Sequence, residues 1–206
     1  MIEKLKQIPR NNFLWGAFSI LFCALLYSAT NNYTASISNR HHMYLEFEKD
    51  IPQLPWMIYF YISYYLIIVS SLWFITSEKA YKSFAISMIF SSVIGNIIFM
   101  IFPGEMGVSR ISNIDSYNYA FNMLHGMDHP VNLFPSLHIT FTVLAVFAFI
   151  DQTRSRLLHT FLILWGFIIC ISVIFTHQHH LFDVVTGVAL AWVTIKLVYL
   201  RRLRVT

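Results

Sequence analysis

Six apolar windows, at residues 13–29, 54–76, 83–102, 137–150, 157–176 and 181–200, restrict what this chain can fold into. Most approach the ~20 residues a helix needs to cross about 30 Å of hydrocarbon, where each backbone amide must find its partner within its own segment. Of the 206 residues, 57% are hydrophobic and 12% charged, against about 25% charged in soluble domains. The pattern predicts an all-α, polytopic membrane protein of six transmembrane helices, forming a single domain over residues 1–206. The fourth window is short, and it is expected to extend by a few residues at either end. The first follows Lys4, Lys6 and Arg10 as a secretory signal would. No small-residue cleavage site stands near Ser28 and five more spans follow, so it reads as a retained helix.

With six spans both termini share a side, and Lys and Arg collect in short cytoplasmic segments. That side holds Lys4, Lys6, Arg10, Lys79, Lys82, Arg154, Arg156, Lys196, Arg201, Arg202 and Arg204. The other holds Arg40, Lys49 and Arg110. Eleven against three predicts cytoplasmic termini in a cell membrane of the bacterial inner-membrane kind, with segments 30–53, 103–136 and 177–180 outside. The net charge of +4 and pI near 9.1 then reflect topology and anionic headgroups, and give no reason to expect a nucleic-acid partner. Cys23 and Cys170 fall inside apolar spans, as small core side chains do. The tyrosine-rich run 59–65 reads as an interfacial belt and packing surface, and Asn96 beside Gly95 as packing between helices.

Polar chemistry gathers where the outward segments meet the spans. In "FTHQHHLFDVVTG" (175–187), His179 and Asp183 are four residues apart, so on a helix they share a face. A carboxylate at the edge of an apolar span requires a partner or a wet cavity, and the imidazole of His179 is at hand. In "NLFPSLHITF" (132–141), Ser136 caps the fourth span and His138 lies in its first turn, where free amides and the helix dipole favour an anion. His177, His179 and His180 also resemble a metal cluster, but their spacing cannot put all three on one helical face, and no metal is expected. His125, Asp128 and His129 read as a polar loop at headgroup level or as the lining of a substrate entrance.

"PSLH" (135–138) and the His179-x-x-x-Asp183 pair resemble the second and third signature motifs of the type-2 phosphatidic acid phosphatase superfamily, membrane lipid phosphatases and phosphotransferases related to vanadium haloperoxidases. "IPQLPWMIYFYISYY" (51–65) and "THQHHLFDVVTG" (176–187) further resemble its branch of inositol phosphorylceramide synthase-like proteins. The superfamily's first motif is a lysine followed six residues later by Arg-Pro; here Arg110 stands with Pro103 in the lysine's place and Ile111 in the proline's. Its third motif begins Ser-Arg, where this chain has Ser172-Val173.

The resemblance implies the same helical core, no cofactor, and a membrane lipid phosphate or pyrophosphate as substrate, cleaved at the extracytoplasmic face. His179 would be the nucleophile that forms a phosphohistidine, Asp183 its orienting carboxylate and His138 the general acid, with Arg110, His177 and Ser136 as the phosphate cradle. A cradle that depends on protonated His177 would lose activity as pH rises. Transfer of the phosphoryl group to an alcohol in place of water, or a silent relative acting as a transporter or assembly subunit, are the other readings.

Overall fold

A computed structural model describes residues 9–110 and 117–204. Lys4 and Lys6 of the basic set, and Ile111 beyond Arg110, lie outside the described residues. The helices are α1 (Arg10–Ala35), α2 (Ile58–Phe74), α3 (Glu78–Ile101), α4 (Asn118–Met127), α5 (Leu137–Gln152), α6 (Arg156–Phe175) and α7 (Leu181–Thr194). A π turn at Ile195–Tyr199 leads from α7 into α8 (Leu200–Arg204), so that Leu181–Arg204 runs as one span.

Among the described residues, five spans are long and apolar enough to cross a membrane: Arg10–Ala35, Pro55–Phe74, Glu78–Ile101, Arg156–Phe175 and Leu181–Arg204. The sixth, α5, has 16 residues, or about 24 Å at 1.5 Å per residue. It gains two residues beyond its window at the C-terminal end and none at the other, because Ser136 caps it there. Its position explains how a short helix suffices: α5 packs on α2, α3, α6 and α7, with Ala145, Ala148 and Phe149 fully buried.

Serines start three of the helices. The hydroxyls of Ser77, Ser136 and Ser155 accept the amides of Ala80, Ile139 and Leu158 at the heads of α3, α5 and α6, each cap worth roughly 0.5–2 kcal/mol. A different serine set makes α3 narrow. Ser83, Ser87 and Ser91 donate to the carbonyls of Lys79, Ser83 and Ser87, so their hydroxyls are satisfied inside the helix. A close approach by α1 becomes possible on such small-residue surfaces; Gly16 of α1 leaves so little space that an added Cβ would lie 2.6 Å from the Tyr81 hydroxyl.

Two elements depart from the sequence reading. The outer loop expected over 103–136 contains α4, whose Phe121 and Leu124 are buried against Ile58, Tyr61, Ile139 and Val173. Ahead of it, strands β1 (His41–His42) and β2 (Gly104–Glu105) pair in parallel and join the first outer segment to the second. α1 also runs six residues past its apolar window, because Tyr27, Asn31 and Thr34 dock one face of it on the segment before α5. Tyr27 donates to Asp128 at 2.8 Å, Asn31 exchanges two hydrogen bonds with the backbone of His129, and Thr34 donates to Asn132 at 2.6 Å.

At the opposite end Lys79 Nζ donates to the Leu203 carbonyl and Tyr199 to Asp151. The start of α1, α8 and the connections α2–α3 and α5–α6 therefore gather there, while segments 36–57, 102–110, 128–136 and 176–180 gather at the end that carries the histidines.

Candidate active site

Two helix starts face each other. At Gly187 an added Cβ would lie 2.7 Å from the Ser136 carbonyl oxygen, so α7 can cross α5 at this depth only without a side chain. Thr140 Oγ1 donates to the Gly187 carbonyl at 3.0 Å and the Ser136 amide to the Asp183 carbonyl at 3.1 Å. These bonds fix the first turn of α5 against that of α7. The ring centroids of His138 and His179 are consequently 5.7 Å apart.

The turn ahead of α7 is set by His177, in the left-handed region at φ 54°. That conformation costs a non-glycine residue about 1–2 kcal/mol and ends α6 in the way left-handed helix caps do. The amides of Gln178 and His179 then both reach back to the Val173 carbonyl. His179 emerges with Nδ1 3.3 Å from Asp183 Oδ2, which also accepts the His180 amide at 2.8 Å. Asp183 is fully buried and its Oδ1 has no hydrogen-bond partner among the described residues. With Nδ1 of His179 committed to the carboxylate, Nε2 is the nitrogen left for chemistry.

His138 is held between two tyrosines of α2. Its Nε2 is hydrogen-bonded to the Tyr61 hydroxyl at 3.0 Å, and the Tyr61 and Tyr64 ring centroids lie 4.9 and 4.7 Å from its own. The tyrosine run is thus divided: Tyr59 is 61% exposed, as a belt residue should be, while Tyr61 is buried against a candidate general acid. Period-3.6 spacing of 61 and 64 on one face was the available signal, masked by the aromatic density of the run.

The segment between α3 and α5 adds charge. Arg110 donates from Nη1 to the Asp128 carbonyl, and its buried Nε has no hydrogen-bond partner among the described residues. Burial pulls the guanidinium below its usual range, opposed by the nearby Asp128 carboxylate, yet arginine stays charged across physiological pH. Burial likewise pushes the Asp128 carboxyl up, against the Tyr27 hydrogen bond and the neighbouring Arg110, His179 and His129. Asp128, read in the sequence as part of a polar loop or of a substrate entrance, has Arg110, His179 and His129 among its electrostatic neighbours.

Of the six residues singled out in the sequence, the structure brings His138, His179 and Asp183 together, with Arg110 in the adjoining segment. Ser136 is fully buried, its hydroxyl accepting the Ile139 amide at the head of α5 and its own amide committed to the Asp183 carbonyl, so the amide is not free for an anion. His177 points elsewhere: its Nε2–H donates to the Ile51 carbonyl at 2.9 Å. The three histidines of the turn have separate partners, Ile51 for His177, Asp183 for His179, and Glu48 with Gly107 for His180.

A cavity of about 440 Å³ opens beside His138. Its walls are largely apolar, from Ile20, Cys23 and Ala24 of α1, Ile68 and Val69 of α2, and Met88 of α3; Tyr27, Asp128 and His138 make its polar end.

No curated protein matches the chain. A family model does, over residues 42–197, a span that contains α2 to α7 together with Arg110, His138, His179 and Asp183. On that match and on the helical core that carries it, the chain belongs to the PAP2 superfamily.

Proposed function

We propose that this chain is a membrane-embedded, metal-independent phosphatase that removes phosphate from a lipid phosphate or pyrophosphate at the extracytoplasmic face. The observation that carries the reading is the buried His179–Asp183 pair, with the His179 ring centroid 5.7 Å from that of His138, which itself lines the polar end of an apolar cavity. Nε2 of His179 attacks phosphorus, forming a P–N bond as the P–O bond to the lipid breaks. His138 gives its proton to the departing oxygen, and Asp183 stabilises the imidazolium that develops on His179. Water then attacks the phosphohistidine, its proton passing to His138, and free phosphate leaves with His179 restored.

Phosphoryl transfer is mainly positioning and stabilisation of charge on the equatorial oxygens. Arg110, whose Nε has no hydrogen-bond partner among the described residues, is the cation for that task. The cavity supports a lipid as substrate, since its volume falls within the ~300–1,000 Å³ of ligand pockets and its lining suits an apolar chain ending at His138. Membership of the superfamily agrees with hydrolysis of a phosphate ester.

The test is purified protein in detergent with phosphate monoesters of increasing chain length, with and without an acceptor alcohol, assayed for free phosphate. Release should rise with chain length until the cavity is filled. Activity that is equal for a soluble ester and a long-chain one would remove the lipid from the reading. Phosphate appearing on the added alcohol in place of solution would make the protein a transferase.

A further inference from the structure

Glu48 is buried in the outer segment between α1 and α2, its side chain 2% exposed. Its Oε1 accepts the Leu45 amide at 2.9 Å, and its Oε2 accepts the Leu181 amide at 2.8 Å, at the first residue of α7. The same Oε2 lies 3.3 Å from His180 Nδ1. On the other side of that ring, His180 Nε2 accepts the amide of Gly107 at 3.1 Å. Tyr44 covers the imidazole at 4.9 Å between centroids, and an added Cβ on Gly107 would lie 2.9 Å from the Tyr44 ring.

This arrangement fixes the state of the imidazole. A ring nitrogen that accepts an amide N–H cannot carry a proton, so Nε2 is bare, and Nδ1 carries the proton and gives it to Glu48. His180 is therefore neutral while the junction is closed. The junction joins three segments: the one carrying Glu48 and Tyr44, the one leading from Gly107 to Arg110, and the start of α7, where the His180 amide binds the carboxylate that orients His179.

We propose that Glu48 and His180 are positioning residues which tie the Arg110 segment to the catalytic helix, and that the tie opens when His180 takes a second proton. Protonation at Nε2 sets two donors against each other, N–H against N–H, and the Gly107 bond is lost. Glu48 and Asp183 face the ring as carboxylates, His179 as a neighbouring imidazole and Tyr44 as a ring over it; from the Arg110 segment it is met by the Gly107 amide. Burial holds the His180 imidazole below its ordinary range, with Asp183 and Glu48 pulling the other way. A depressed value means the unfolded chain binds the proton more readily, so the junction is intact above that value and is lost as pH falls through it. Its effect on turnover rests on the phosphatase reading; the junction itself does not.

Hydrogen exchange at the Gly107 amide, corrected for intrinsic rate and followed in detergent from about pH 8 to about pH 5, tests this on the unmodified protein. Protection should fall at least tenfold through a single titration. In Glu48→Gln the midpoint should move to lower pH, because the carboxylate that favours the imidazolium has gone. In His180→Gln, which offers an acceptor and a donor without titrating, protection should not depend on pH, and the acid limb of nitrophenyl phosphate hydrolysis should move with it. Protection that stays flat in the unmodified protein, or a midpoint unchanged in Glu48→Gln, overturns the proposal. An exchange profile as expected in a protein with no turnover upholds the junction and defeats the phosphatase reading instead.

Discussion

The roles proposed for His179, His138 and Asp183 separate by leaving group. His179→Ala removes the atom proposed to bond phosphorus and should abolish phosphate release for every substrate. His138→Ala should cost roughly 10²–10⁴ in rate, the usual worth of one proton transfer, and should recover part of it on a nitrophenyl ester, whose phenolate departs with little protonation. Asp183→Asn should fall between them, since the geometry survives while the tautomer of His179 is no longer enforced. Equal leaving-group dependence in the two histidine variants would reject the assignment. His177 gives a second residue-scale contrast. Because it occupies the left-handed region and bonds Ile51, His177→Gly should keep the turn and retain activity within about threefold, whereas His177→Val, a β-branched residue in that region, should lose stability and activity together. A phosphate-binding cation would show the reverse for glycine. The spacing from His179 to Asp183 was legible in the sequence because a helix makes i and i+4 neighbours. The direction of His177 was not, since it depends on a backbone φ and on a carbonyl 126 residues away.

At the scale of elements, the heads of α5 and α7 are positioned by one glycine. Gly187→Ala places a methyl 2.7 Å from a backbone oxygen that no rotamer change can move, and overpacking of this kind costs about 1–3 kcal/mol. Gly126 in α4 has nothing within 4 Å of an added Cβ, so Gly126→Ala should be neutral or stabilise by up to about 1 kcal/mol through helix propensity. Thermal unfolding in detergent distinguishes the two, and equal shifts would show that the α5–α7 contact does not limit stability. Both glycines look alike in the sequence, since neither lies in a turn motif. The element boundaries behaved similarly: the apolar windows located six spans because hydrocarbon demands that length, yet the polar end of α1 and the amphipathic α4 were hidden. Their helicity comes from contacts with Asp128, His129 and Asn132, and with Ile58 and Val173, all remote in sequence.

For the whole molecule the question is which end of the bundle faces the cytoplasm. The contacts among Lys79, Leu203, Asp151 and Tyr199 place the lysine- and arginine-rich connections at one end, with His138, His179 and Arg110 at the other. Lys and Arg are retained on the cytoplasmic side during insertion, so the asymmetry of eleven to three supports the proposed assignment of the histidine end to the exterior. That assignment also fits chemistry in which a lipid presents its phosphate at the outer interface with its chain running along α1 into the cavity beside His138. After replacement of Cys23 and Cys170 by serine, single cysteines at the exposed positions Ser109 and Arg154 report the two ends. A membrane-impermeant thiol reagent applied to intact cells should label Ser109→Cys and leave Arg154→Cys unlabelled until the membrane is opened. The opposite pattern would put the site in the cytoplasm and require a substrate supplied from the inner leaflet. Labelling of both before opening would mean that the termini and the site are not separated by a continuous bilayer, and the six-span arrangement itself would fail.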